Sequence, residues 1–510
     1  MPRYAAIDIG SNSVRMLAAE LEPSAPLRVL AEDRQVTRLG EGVFRSGLMD
    51  EPSMASTLQT LERMVGLYKP HNVLAARIVA TSAVRDAGNQ SAFLERAGEI
   101  AGQPVEIISG QEEARLIHLG VETRWPHPHQ RLLIVDIGGG SAEVIEAEHG
   151  RLKRAFSRPL GAVRLQSVFL TNDPPSRDDL MRLEEYIEQK LSVAVQRIGT
   201  IHFDRAIGTA ASASAVVCAA NSIPRMRREL ADRRKVTVAQ LRRLYRDLSR
   251  MNLAARRKVV GLGYRRAEII LPGVAVLLRT LEAFSLNSLS YCAAGVREGI
   301  VRDLADRGVG REQAHLNREQ REMVEQFARR FGVDLRHARK VAHFALELFH
   351  ALERLHRLPF GEGRLIEAAA YLRDVGHAIS YASHHKHSQY VVANADLGGF
   401  TDVERLRVAM LCRYHRKSMP AARHADFMAL APDDRRYITL LAPVLRIADA
   451  LDRSREQRVE RIECTLGPAG VTLRLEASQD IGLEKWAVAG AGAVFKEVYG
   501  TALTVENVAA

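Results

Sequence analysis

Short apolar blocks fill the first part of the chain, and a longer helical period replaces them further on. "RYAAIDIG", "ARIVATSAV" and "PVEIIS" have the length and β-branched content of strands, whereas "MASTLQTLERMVGLY" sets Leu58, Leu61, Val65 and Tyr68 on one helical face. The alternation begins again with "RLLIVDIGGG", continues through "RAIGTAAS" and ends with "SLSYCAAGVREGIV". Two such passages predict two α/β domains in tandem, over residues 1–125 and 126–308. From about Arg311 to Arg455 the pattern is that of long amphipathic helices, as in "REQREMVEQFARRFG", "ARKVAHFALELFHALERL" and "YITLLAPVLRIADALD", which predicts an all-helical domain over 309–455. The tail alternates at Ile462, Cys464 and Leu466, turns at "GPAG" and alternates again at Val471, Leu473 and Leu475, a β-hairpin within a small α+β domain over 456–510.

Composition changes this picture in three places. At 510 residues, 46% hydrophobic and 26% charged, the chain is too long for one core and has the balance of a protein that folds throughout. "PRYAAIDIG" leaves no room for a signal peptide and no apolar run is long enough to span a bilayer, so the expected location is the cytoplasm, with no membrane partner. Cys218, Cys292, Cys412 and Cys464 have no paired spacing and are expected as reduced, buried thiols. The net charge of +11 is concentrated: Pro224 to Arg266 holds fifteen Lys or Arg against three acids. That segment is either a solvated helix pair or an attractor for a polyanion such as nucleic acid, a phosphate polymer or a highly phosphorylated nucleotide. Few aromatics interrupt it, so base stacking is not indicated and nucleic acid is not expected as the primary partner.

The chemistry concentrates in a phrase that occurs twice. "IDIGSNSVRM" and "VDIGGGSAEV" place Asp8 and Asp136 at the ends of apolar runs 128 positions apart (136 − 8), about one domain length. A strand that ends in a carboxylate and continues into glycines can turn tightly and point successive N–H groups into a concavity suited to phosphate oxygens. Ser11, Asn12, Ser13 and Ser141 add polar side chains at the rim, and Asp8 and Asp136 can hold Mg²⁺ or a water. A third turn, "AIGTAASASAV", leads from Gly208 and Thr209 into a small-residue helix whose N-terminus suits another phosphate. In "ISGQEEARLIHLGV", Ser109 and Glu112 have capping-box spacing, which leaves Glu113 without a structural role; the residues alone allow it to be a surface acid favoured by the helix dipole.

"DIGSNSVRM", "ATSAVRDAGN", "ISGQEEARLIHLGV", "DIGGGSAEV", "RPLGAVRL", "GTAAS", "RRAEIILPGVAVL" and "AAGVREGIV" occur in an order that resembles the exopolyphosphatase and guanosine pentaphosphate phosphatase family, long form. The resemblance implies two actin-like (ribonuclease H-like) domains of the sugar kinase, Hsp70 and actin superfamily (ASKHA), followed by an HD-like helical domain and a small α+β C-terminal domain. It implies Mg²⁺-dependent hydrolysis of a terminal phosphoanhydride, leaving open a further monovalent cation such as K⁺, and it makes a homodimer the expected assembly. Glu113 then resembles the catalytic base; Asp136 and Glu143, with Asp8, the metal-binding acids; and Gly138, Gly139, Gly140 and Ser141 the phosphate loop. Asn12, Ser13, Arg15, Arg85, Gly208, Thr209 and Arg266 resemble phosphate contacts. The expected substrate is inorganic polyphosphate, with guanosine pentaphosphate (pppGpp) as the alternative; a non-catalytic polyphosphate or nucleic-acid binding regulator and a sugar kinase are more distant readings.

The helical domain departs from a metal-binding HD site, because "YLRDVGH" has Arg373 before Asp374 where an adjacent His-Asp pair is needed. His343, Asp374, His387, His415 and Asp449 stand at candidate ligand positions, but a guanidinium repels the metal it would have to help bind. A structural or substrate-guiding domain is therefore expected. Eleven of the seventeen histidines fall between His315 and His424.

Overall fold

The computed structural model describes residues 1–22, 26–306, 315–467 and 470–509. The expected boundary at 308–309 and the middle of the "GPAG" turn lie outside them. The chain forms two compact units, Met1–Asp306 and Arg307–Ala510.

The first unit is built on two sheets with the same plan. In one, β1 (Arg3–Ile9), β2 (Ser13–Glu20) and β3 (Arg28–Val36) run antiparallel, and β4 (Ala75–Ala80) and β5 (Glu106–Ile107) extend the other side of β1 in parallel. In the other, β6 (Arg131–Ile137), β7 (Ala142–Glu148) and β8 (Arg151–Arg158) run antiparallel, and β9 (Arg205–Thr209) and β11 (Ser288–Tyr291) continue in parallel from β6, with β10 (Lys235–Thr237) antiparallel at the edge. The near-continuous apolar run of β6 follows from burial on both faces. Leu133, Val135 and Ile137 join one core with Leu183, Ile187 and Leu277, whereas Leu132 and Ile134 join another with Ile145 and Ile207. "PVEIIS" gives only the two-residue β5, because Ile108 already leads into the Ser109 cap of the next helix.

That helix, Gly110–Arg124, packs Ala114, Ile117 and Val121 on the second sheet, and Gln111 donates to the Ala155 carbonyl of β8. The helix Val296–Asp306 lies instead on the first sheet, where Arg297 donates to the Met16 carbonyl of β2. The two helices cross backbone to backbone: a Cβ at Gly299 would stand 1.8 Å from the Leu116 carbonyl oxygen, and one at Gly120 would stand 2.1 Å from that of Gly295. At the crossing, Arg77 and Arg115 bind Glu112 and Asp303, with Nη–O distances of 3.1 and 3.0 Å to Glu112 and of 3.2 and 2.7 Å to Asp303. Ser109 caps the Glu112 N–H as expected, and the Glu112 side chain joins this lattice.

In the second unit, helices Arg318–Arg330, Leu335–Ala351, Gly363–Leu372, Asp402–Tyr414 and Pro432–Ala450 surround one core. A three-stranded sheet of β12 (Arg461–Gly467), β13 (Gly470–Ala477) and β14 (Leu503–Ala509) confirms the hairpin, with helix Gly482–Tyr499 between its last two strands. Val471, Leu473, Leu475, Val488 and Phe495 belong to the same core as the helices. Cys218, Cys292 and Cys412 are buried free thiols, while Cys464 is only half-buried. Among the described residues, no helix is long and apolar enough to cross a membrane.

Two measurements check this packing. Gly299→Ala forces a methyl into the Leu116 carbonyl and is expected to destabilise the first unit by ~1–3 kcal/mol or more, read as a fall in Tm. His118 is buried with neither ring nitrogen paired among the described residues, and burial pushes its pKa down from 6.5 to about 4. The unfolded chain therefore takes up a proton that the folded chain refuses, and stability present above pH 6.5 is lost as the pH falls toward 4, by about 3 kcal/mol in all. His118→Leu is expected to remove that part of the slope in pH-dependent denaturation.

Candidate active site

Strand register builds the site. On the first sheet Asp8 of β1 lies opposite Arg15 of β2, and Arg15 opposite Arg34 of β3. On the second, Asp136 of β6 lies opposite Glu143 of β7, Glu143 opposite Ser157 of β8, and Asp136 beside Thr209 of β9. The positions correspond across the two sheets, since 136 − 8 and 143 − 15 both equal 128. One sheet thus ends in an Asp-Arg-Arg row and the other in a Thr-Asp-Glu-Ser row. The same plan is basic on one side and acidic on the other.

The acid row is held from both flanks. Thr209 Oγ1 donates to Asp136 Oδ2 at 2.5 Å and Ser157 Oγ to Glu143 Oε1 at 2.8 Å. Glu113, in the first turn of Gly110–Arg124, is also buried, with Arg85 Nη1 4.0 Å from its Oε2. Among the described residues, Glu113 Oε2 and Glu143 Oε2 are buried oxygens without a hydrogen-bond partner. Burial and the neighbouring Asp136 push Glu143 up to about 8, and burial and Glu143 hold Glu113 well above the usual carboxylate range. Asp8 rises to about 6 through burial, against the pull of Arg15, and burial raises Asp136 against the Thr209 bond. Four carboxylates whose pKa values burial raises, two with orphaned oxygens, are a donor set suited to a hard divalent cation.

Opposite stand arginines short of anions. Burial, then Arg15, Arg266 and Arg228, lower Arg34 to about 9, and burial and Arg15 lower Arg266 to about 10. Arg266 reaches the Ser212 hydroxyl at 3.4 Å, and Arg34 Nε is buried without a partner among the described residues. Arg85 also donates to the Ile108 carbonyl at 2.6 Å, which ties it to the strand before Glu113.

The two hairpin turns touch. A Cβ on Gly139 would lie 2.9 Å from Ser11 Cβ and 3.1 Å from the Asn12 nitrogen, and one on Gly140 would lie 2.0 Å from Ser82 Oγ. Gly10, Gly138, Gly139 and Gly140 have negative φ, so close approach, not left-handed backbone, requires glycine at positions 139 and 140. Ser11 Oγ meets Ser82 Oγ at 3.0 Å, the Asn12 carbonyl accepts from Thr37 and Arg38, and Ser13 accepts from Gly10 through its carbonyl. Ser141 accepts likewise from Gly138. Gly208 lies within β9, where a Cβ would press on Leu289 at 2.6 Å, and Thr209 spends its hydroxyl on Asp136. The turn after Thr209 places Ala210 at φ 58°, a left-handed conformation uncommon for a side-chain-bearing residue.

Sequence reasoning missed Arg34, Ser82 and Ser157. Ser157 directly precedes the quoted "RPLGAVRL", but only pairing of β8 with β7 brings it to Glu143. Arg34 carried no sequence signal.

Residues 17–308 match the Ppx/GppA phosphatase family, and residues 320–486 match Ppx/GppA phosphatase, domain III. Among solved structures, the Aquifex aeolicus PPX-GPPA enzyme is 29% identical, with a TM-score of 0.52 over 59% of this chain and 99% of its own. An exopolyphosphatase from Cytophaga hutchinsonii is 25% identical, with a TM-score of 0.55 over 60% of this chain and 98% of its own. The paired sheets of the first unit are the actin-like fold of these enzymes. With more than half of its length matched, this chain belongs to the Ppx/GppA phosphatase family.

Proposed function

We propose that the protein is an exopolyphosphatase, releasing orthophosphate from the end of inorganic polyphosphate by attack of water on the terminal phosphoanhydride. The observation that carries this reading is the division of charge between equivalent positions of the two sheets. Asp136 and Glu143 stand where their counterparts are Asp8 and Arg15, so one side suits a cation and the other a run of phosphate oxygens. The solved relative from Cytophaga hutchinsonii is itself described as an exopolyphosphatase.

Asp136 and Glu143, with Asp8, fit Mg²⁺ by donor type and by the orphaned Glu143 Oε2. Mg²⁺ bound there supplies neutralisation of charge on the transferring phosphoryl group. Glu113 orients the attacking water through its uncommitted Oε2 and takes its proton. Arg85, 4.0 Å from that oxygen, steadies Glu113 and leaves N–H groups for the terminal phosphate. Arg15, Arg34 and Arg266 hold the following phosphates, where each anion bound relieves repulsion among cations. Exposed cations of the 224–266 segment, Arg225, Arg227 and Arg228 among them, extend attraction for a long anion beyond the cleft.

The same arginines suit the phosphates of pppGpp, which is the second reading. The two separate when long-chain polyphosphate and pppGpp are offered at equal molarity of ends in Mg²⁺ and orthophosphate release is followed. Shortening of the polymer from its ends, with the nucleotide cut slowly, is the expected result; cleavage of the nucleotide alone would replace the polymer as substrate. Glu113→Gln is expected to lower kcat by about 10²–10⁴-fold with little change in KM. Full activity in that variant would remove Glu113 as the base.

A further inference from the structure

The second unit contains a group of side chains that the cleft chemistry does not use. Arg373 is completely buried, and its guanidinium is engaged by residues other than the imidazoles that follow it in sequence. Its Nε lies 2.6 Å from Asp449 Oδ1, and its other nitrogens reach the His337 ring and the Ala370 carbonyl. His337 is fixed from its far side by Asp452, at 2.8 Å from Nδ1. Arg373 thus fills the space between His337 and Asp449 with its own positive charge. A second cation is not wanted at that place.

Asp374, the next residue, has Oδ2 3.7 Å from Arg373 and its other oxygen beside a separate group. Its Oδ1 is 3.6 Å from His384 Nε2 and 4.0 Å from His377 Nδ1, and His384 Nε2 is 3.4 Å from His415 Nε2. Four-coordinate zinc with bonds of about 2.0–2.1 Å sets its donor atoms roughly 3.3 Å apart, close to two of these separations. His415 Nδ1 sits 2.7 Å from the Cys412 carbonyl, a bond that places the proton on Nδ1 and leaves the Nε2 lone pair facing the group. Asp374, His384 and His415 are buried, and His377, stacked on the exposed Tyr381, gives the group an edge toward solvent. Three cations border the group: Arg455 and Arg373 approach Asp374 Oδ2 at 3.4 and 3.7 Å, and Arg416 Nη1 lies 3.2 Å from His384 Nδ1 and 3.5 Å from its Nε2, so that metal binding requires the exposed end of Arg416 to swing aside. His343 and His387 do not join this group; His343 is exposed beside Glu347 and His387 is only half-buried, one turn beyond the buried His384.

We propose that Asp374, His377, His384 and His415 bind a divalent transition metal ion such as Zn²⁺. Three imidazoles and a carboxylate select for a borderline ion over Mg²⁺ or Ca²⁺. The ion would clasp the short turn Val375–Ala378, the helix His384–Ala393 and the end of the helix Asp402–Tyr414. The proposal departs from the expectation that Arg373 keeps a metal out of the domain: the guanidinium occupies one position, and a different donor set lies beside it.

The test uses the full chain carrying Asp136→Asn and Glu143→Gln, so that the acids of the cleft do not contribute. After treatment with a chelator and its removal, titration with Zn²⁺ is expected to give one ion per chain and a higher Tm. In the same background, His384→Gln and His415→Gln are each expected to weaken binding at least tenfold, whereas His343→Ala leaves it unchanged. Zinc K-edge absorption of the loaded unsubstituted second unit, in that same full chain, is expected to show several imidazole shells, a readout that does not depend on the folding of the histidine variants. Failure to retain stoichiometric Zn²⁺, affinity in the two histidine variants unchanged from that of their parent, or an edge spectrum with oxygen ligands alone would overturn the proposal. None of these outcomes bears on the cleft chemistry.

Discussion

Four carboxylates within electrostatic reach of one another, three of them buried, set the terms for the first unit. Glu112 and Glu113 are consecutive and both buried, yet their environments are opposite. Burial would raise Glu112, but Arg115 and Arg77 bind it and hold it below the usual range, whereas Glu113 has only the distant Arg85 and is surrounded by other acids. The desolvation of a buried charge is offset only where partners bind it closely, and a buried charge without them is expensive. The lattice of Arg77, Glu112, Arg115 and Asp303 therefore fixes the helix start, and Glu113 beside it keeps a buried carboxylate oxygen without a hydrogen-bond partner among the described residues. Stability and reactivity are assigned to adjacent positions of one helical turn.

The second organising fact is register. Once β1 and β6 adopt the same place in equivalent sheets, residues 128 apart occupy matching sites, and a difference in one side chain becomes a difference in function between two walls. Arg15 against Glu143 is that difference. The contact between the turns, with Gly139 against Ser11 and Asn12, brings the strand ends together, so that both rows can act on one ligand.

What could be read in advance, and what could not, follows from the range of the interactions. The doubled Asp-Ile-Gly phrase, the strand runs and the helical periods are local, and the residues themselves carry them. Arg34 and Ser157 matter because they lie two strands away from Asp8 and Asp136, and no spacing rule announces a cross-strand neighbour before the pairing is known. Gly120 and Gly299 look like weak helix formers until each is found against the other helix's backbone carbonyls. In the second unit, Arg373 was legible as a cation in an unusual place, but its direction was not. Its side chain turns toward His337 and Asp449, and this decides which histidines remain grouped around Asp374.

The crossed helices also change what a cut in this chain would mean. Gly110–Arg124 belongs by sequence to the first lobe and covers the second, and Val296–Asp306 belongs to the second and covers the first. Severing the chain between them would give two fragments, each carrying away the roof of the other and exposing an apolar sheet face. The lobes are interlocked by exchange, and within the first unit only the pair keeps both roofs in place.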